Sequence, residues 1–203
     1  RKENSKLDDL KGLKFRMPGI GGEVLRRLGV AVVNLPAAEI FPALQSGTID
    51  GSEWVGPWND TMFGFYKIAK YYYAAGFHEP GTVGSFGINK KTWDGLTDTE
   101  REMITTVMQA EGQWQTSEFR ARDLAALNKL VDEHGVQLRS FTNEMYREFG
   151  RLSGEVVRDM ASQDPLTKRV YESYAGFRKG AISLSKIQEG KYLRARELPF
   201  KWA

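Results

Sequence analysis

The sequence predicts an α/β fold: a mixed, mostly parallel sheet with helices, followed by a long helix and a helical C-terminal region. Three observations carry this. Strand and helix signals alternate from Leu13 to Gly56, the pattern of parallel strands joined by helical crossovers. The stretch from Thr97 to Gly135 then reads as one helix, longer than is usual in globular proteins. Finally, 203 residues with 41% apolar and 12% aromatic content can bury one large core or two small ones.

The elements follow in order. Leu13–Gly19, "LKFRMPG", is a strand ended by Pro18-Gly19, and "GGEVLRRLG" is a short helix stopped at Gly29. Val30–Pro36 is a continuous β-branched run, as expected of a strand buried on both faces. In "AAEIFPALQSG" the residues Ile40, Phe41 and Leu44 recur at helical spacing before Gly47. "TIDGSEWVG" is a third strand, and "NDTMFGFYKIA" a helix capped by Asn59 or Asp60. Lys70–Phe77 and Gly81–Lys90 are strand candidates on either side of His78-Glu79-Pro80-Gly81. Thr97 and Glu100 form a capping box for the long helix. "VQLRSF" is a short strand, and helices over Asn143–Ser162 and Pro165–Ile187 complete the chain. The resulting segments are 1–70, an α/β core; 71–96, crossing strands; and 97–203, a long helix, a short strand and the C-terminal helices.

Charge and composition narrow the function classes. Lys+Arg 29 against Asp+Glu 26 gives a net +3 spread along the chain, which argues against a nucleic-acid partner. The absence of cysteine removes disulfide, thiolate-metal and thiol redox sites. No apolar run reaches the roughly 20 residues of a membrane-spanning helix. The chain opens on Arg1 rather than Met and is expected to be a product of processing or truncation.

Ligands of open α/β sheets sit beyond the carboxyl ends of the strands. Arg16, Glu53-Trp54 and Glu79 fall at or past such ends. Arg16 could grip a carboxylate through a two-pronged bond, or pair with a local acid on the sheet rim. Glu53 and Glu79 each stand against an aromatic, Trp54 in one case, Phe77 and His78 in the other. Together they would suit a hard cation, Ca²⁺ before Mg²⁺; apart they are solvated loop charges. Trp54 and Trp58 flank a Gly-Pro turn and serve either as core anchors or as a cleft wall. "GIGGE" (Gly19–Glu23) lacks the spacing of a phosphate cradle.

The segments "LKGLKFRMPGIGGEVLRRLGV", "EIFPALQSGTIDGSEWVGPWND", "YYYAAGFHEPG" and "INKKTWDGLTDTEREMI" resemble the TRAP transporter solute-binding proteins, the DctP family, in the branch that binds 2-oxo and 2-hydroxy monocarboxylates. The likeness runs in order from Leu10 to Leu138. It implies a periplasmic, two-lobed binding protein, not an enzyme, that delivers a small organic acid to TRAP permease membrane subunits. It further implies Arg16 on the substrate carboxylate, with Trp54, Trp58 and Phe77 lining the acid. A metal would be held by the Glu53 carboxylate, the Trp54 main-chain carbonyl and the Glu79 side chain. With Glu at position 79 the expected ion is Ca²⁺, with Na⁺ as the alternative. Relative to that family the chain looks like a fragment carrying the second lobe and lacking the first, so self-association through an exposed apolar patch is expected. The competing reading is a metal-dependent lyase acting on a small 2-oxo acid, with His78 as base.

Overall fold

Phe15 marks the centre of the first sheet. The structure, a computed structural model, describes residues 2–79, 81 and 84–199. Strand β1 (Lys14–Arg16) lies between β2 (Ala31–Val33) and β3 (Gly51–Ser52), all parallel, with Phe15 opposite both Val32 and Gly51. Helices α1 (Gly19–Arg27) and α2 (Ala37–Ser46) make the crossovers that parallel neighbours require. Helix α1 crosses so closely that a Cβ on Gly22 would stand 2.4 Å from the Met17 carbonyl oxygen. Gly47 ends α2 with φ 79°, the left-handed conformation glycine adopts without strain.

The second strand differs from expectation. It is shorter than Val30–Pro36, and Ala31 and Val33 are exposed. Only the Val32 side meets the core cluster on which α1 packs; β2 is an edge strand with a single neighbour. The next helix also starts earlier than a cap at Asn59 or Asp60 implies. Helix α3 (Pro57–Met62) begins on Pro57, whose fixed φ and missing N–H suit a first helical turn.

A second sheet pairs β4 (Tyr71–Tyr73) in parallel with β5 (Gln137–Arg139). Between them stand α4 (Lys90–Asp94) and the 35-residue α5 (Asp98–Asp132), whose Thr97–Glu100 capping box forms as expected. Of the strand expected over Gly81–Lys90, residues 84–89 form none, and 82 and 83 lie outside the described residues. Asn89 instead caps α4, its Oδ1 accepting from the Lys91 and Thr92 amides, and Gly84 and Gly87 weaken any strand before it.

Two core clusters flank this arrangement. One gathers Leu10, Leu13, Met17, Leu25, Val30, Met145 and Phe149, with Phe77 packed on it. The other gathers Ile40, Leu44, Ile49 and Phe65, with Trp54 packed on it. The chain divides into two compact units, Arg1–Gly150 and Arg151–Ala203, both clusters falling in the first. The division lies inside α6 (Asn143–Ala161); the second unit holds the rest of that helix, α7 (Pro165–Ile187) and α8 (Glu189–Arg196). Asp164 caps α7 by accepting from the Leu166 and Thr167 amides, and Pro165 occupies its first position. No helix among the described residues is long and apolar enough to cross a membrane.

Candidate functional site

Sheet register brings the first two site residues together. Arg16 is the last residue of β1 and pairs with Ser52 of β3, so Glu53 emerges beside it and donates its amide to the Arg16 carbonyl at 3.0 Å. Arg16 is 7% exposed, and a charge so buried needs partners. Its Nε donates to the Leu35 carbonyl at 3.2 Å. Its Nη1 donates to the Glu53 carbonyl at 3.1 Å and to Glu53 Oε2 at 3.2 Å. Nη2 has no hydrogen-bond partner among the described residues. The Trp54 ring lies 5.2 Å from the guanidinium carbon, within cation–π range. Burial pushes the Glu53 carboxyl above the ordinary glutamate value; Arg16 opposes that rise, and the like charges of Glu79 and Asp60 add to it.

The loop after β4 supplies the other side. Phe77 stacks on Phe149 with ring centroids 4.5 Å apart, which anchors the loop in the first core cluster. His78 and Glu79 follow, with His78 Nε2 3.6 Å from Glu79 Oε2. One donor atom each from Glu53, His78 and Glu79 lies within 4.8 Å of the other two. The structure thus brings together the two carboxylates that the sequence singled out and adds an imidazole. From sequence His78 is an aromatic neighbour of Glu79 and a candidate base, and that adjacency is the signal for a ligand. The Trp54 carbonyl accepts no hydrogen bond among the described residues, and its indole Nε1 is buried without a partner.

A cavity of about 490 Å³ opens here, with Glu53, Trp54, Phe77, His78 and Glu79 on its wall. Arg16 sits behind Glu53, off that wall. Trp58 is also off it. It turns toward α5, edge-on to Phe119 at 5.1 Å and under the Arg122 guanidinium at 4.6 Å. Its amide donates to Asp123 Oδ1 at 2.9 Å, so Trp58 ties α3 to the long helix. A second polar group on the cavity wall escaped the sequence analysis. Asp60 Oδ2 accepts from the Tyr72 hydroxyl at 2.7 Å, while Asp60 Oδ1 is buried with no hydrogen-bond partner among the described residues. Burial pushes the Asp60 carboxyl up to about 6, against the hydrogen bond from Tyr72. Nothing local in the sequence marks the hydrogen bond of Tyr72 to Asp60 or the like charge of Asp123 near it.

Comparison with known proteins is consistent with this geometry. The profile of DctP, described as bacterial extracellular solute-binding protein, family 7, matches residues 1–164. A monocarboxylate 2-oxoacid-binding periplasmic protein of Nostoc sp. is 35% identical over 192 residues, covering 95% of this chain and 52% of the relative. A TRAP periplasmic solute-binding protein from Colwellia psychrerythraea, with bound calcium and pyruvate, superposes with TM-score 0.90 at 35% identity, covering 96% of this chain and 59% of that one. Its counterpart from Pseudoalteromonas atlantica, with bound sodium and pyruvate, gives TM-score 0.86 at 33% identity and the same coverage. The chain therefore spans between half and three-fifths of the length of these relatives.

Proposed function

The chain belongs to the DctP family of bacterial extracellular solute-binding proteins, and we propose that it binds a small 2-oxo or 2-hydroxy carboxylate, pyruvate- or lactate-like, through Arg16 and a bridging metal ion. The observation that carries the reading is the meeting of Glu53, His78 and Glu79 donor atoms within 4.8 Å, beside a buried arginine, at the carboxyl ends of β1 and β3. Relatives holding calcium or sodium with pyruvate support it. The family is one of binding proteins, so the lyase reading is set aside.

The residues fit a cation. Glu53 and Glu79 are two anionic groups whose mutual repulsion a cation relieves, and the Trp54 carbonyl has free lone pairs. Two carboxylates favour Ca²⁺ over Na⁺. When bound, the ion supplies positive charge toward the acid's oxygens. Arg16 fixes the Glu53 carboxylate with Nη1 and leaves Nη2, without a partner among the described residues, as the donor proposed for an anion. The Trp54 Nε1 proton is a second unclaimed donor, and Trp54 and Phe77 give the acid apolar walls. Trp58 contributes by holding α3 on α5. In this reading the Arg1–Gly150 unit is the second lobe of a two-lobed periplasmic protein. Residues 71–96 run toward the first lobe, and TRAP permease subunits receive the acid. Self-association accompanies the exposed apolar face of the second unit.

Isothermal titration of the chain with pyruvate and with lactate, after chelation and again with Ca²⁺ restored, tests the reading. Heat of binding only with Ca²⁺ is expected. Tight binding indifferent to Ca²⁺ removes the bridging metal, and no binding of either acid under both conditions removes the substrate class.

A further inference from the structure

Packing places the His78 ring. Its ring rests over Gly21 of α1, where a Cβ would come within 2.9 Å of Cδ2 and 3.2 Å of Cγ. The Phe77 ring flanks it at 5.2 Å between centroids. Neither ring nitrogen makes a hydrogen bond among the described residues, and the 3.6 Å from Nε2 to Glu79 Oε2 is beyond hydrogen-bond range. A half-buried imidazole with both nitrogens unclaimed, turned toward two carboxylates, has the form of a ligand awaiting a cation.

Resting on the metal-bridged reading above, we infer that His78 Nε2 is a further protein donor to the ion, making the site a mixed nitrogen–oxygen one that takes a first-row divalent cation such as Mn²⁺ as well as Ca²⁺. The spacing agrees. Opposed donors on one ion stand at twice the bond length, about 4.6–5.2 Å for Ca²⁺, and the three donors here lie within 4.8 Å of one another. A closed tetrahedral zinc site, with bonds of about 2.0–2.1 Å, would draw them to about 3.4 Å. The donor set therefore suits a larger ion with more than four ligands. Imidazole binds first-row divalent ions far better than it binds Ca²⁺ or Na⁺, so His78 widens the site's selectivity where an all-oxygen set would not.

The chain contains two histidines, and His134 is stacked on Tyr66 instead, so a nitrogen signal has few sources. The test is Mn²⁺ binding followed by electron spin resonance, with spin-echo modulation reporting a directly bound imidazole nitrogen. Nitrogen modulation is expected in the unaltered chain and in His134→Gln, and its loss is expected in His78→Gln. The same His78→Gln variant should weaken Mn²⁺ about tenfold and Ca²⁺ by less than about threefold. Gly21→Ala, which changes none of the candidate ligand residues, should diminish the modulation, since its Cβ would crowd both the Met17 terminal methyl at 2.8 Å and the His78 ring at 2.9 Å. Mn²⁺ bound without nitrogen modulation overturns the inference and leaves the Glu53–Glu79 site standing. Modulation that survives His78→Gln overturns it too, as does an equal loss of both ions. Failure of both Mn²⁺ and Ca²⁺ to bind overturns the metal reading itself.

Discussion

Arg16 is held by packing and hydrogen bonds and, in the proposed reading, also grips the acid. Its three hydrogen bonds go to two main-chain carbonyls and one carboxylate, a fork that lysine's single ammonium cannot reproduce. Arg16→Lys should keep the circular dichroism of the fold, lower unfolding free energy by about 1–3 kcal/mol and weaken acid binding by about tenfold or more. Undiminished affinity in titration would show that the acid is held without the arginine fork. Asp60 gives the opposite case, a residue that opposes stability at neutral pH. Its carboxyl titrates at about 6 in the native state against 3.8 normally, so the native state holds the extra proton between those values. Stability from this group is full below about 4 and falls as pH rises toward 6. Asp60→Asn keeps an acceptor for Tyr72 and should be more stable than the unaltered chain by about 1–3 kcal/mol at pH 7.5. The gap should close near pH 4; denaturant titrations showing it widen toward acid would refute the assignment. Glu53 and Glu79 were legible in sequence because each follows a strand beside an aromatic. Asp60, Tyr72 and Asp123 were not, because α3, β4 and α5 meet only in the fold.

At the scale of elements, local signals did well where a single physical cause dominates. Pro165 starts α7, the Thr97–Glu100 pair starts α5, and Gly47 ends α2, each as the sequence indicates. Elements decided by neighbours were less legible. The β-branched run at Val30 reads as doubly buried, yet its edge position exposes Ala31 and Val33. The turn leaves Trp58 open between core anchor and cleft wall, and Phe119, Arg122 and Asp123, which decide its packing, are distant in sequence. The crossover of α1 over β1 rests on Gly22, whose missing side chain leaves room for the Met17 carbonyl and for Val32 Cγ1, 3.1 Å from where a Cβ would be. A backbone oxygen cannot swing away as a side chain can. Gly22→Ala should therefore cost about 2–3 kcal/mol in denaturant unfolding, and a loss below about 0.5 kcal/mol would mean that the crossover relaxes.

The whole molecule carries a surface feature that its small net charge does not offset. In α7 the residues Leu166, Val170, Tyr174 and Phe177 recur at helical spacing on one face, and Phe177 is 77% exposed. Leu184 and Ile187 are exposed nearer the end of the same helix, and Tyr192 and Leu193 on α8. An apolar face of this extent favours association, and a net charge of +3 on 203 residues gives weak repulsion against it. Sedimentation of the chain over a rising concentration series should show species above the 23.0 kDa monomer. Replacing Val170 and Phe177 together by Glu puts two like charges about two turns apart on that face, where neither side chain is in the core. This variant should sediment as monomer with its thermal unfolding little changed, since exposed positions contribute little to stability. A monomer at every concentration in the unaltered chain would rule out self-association. An oligomer that survives the double substitution would place the contact on another surface.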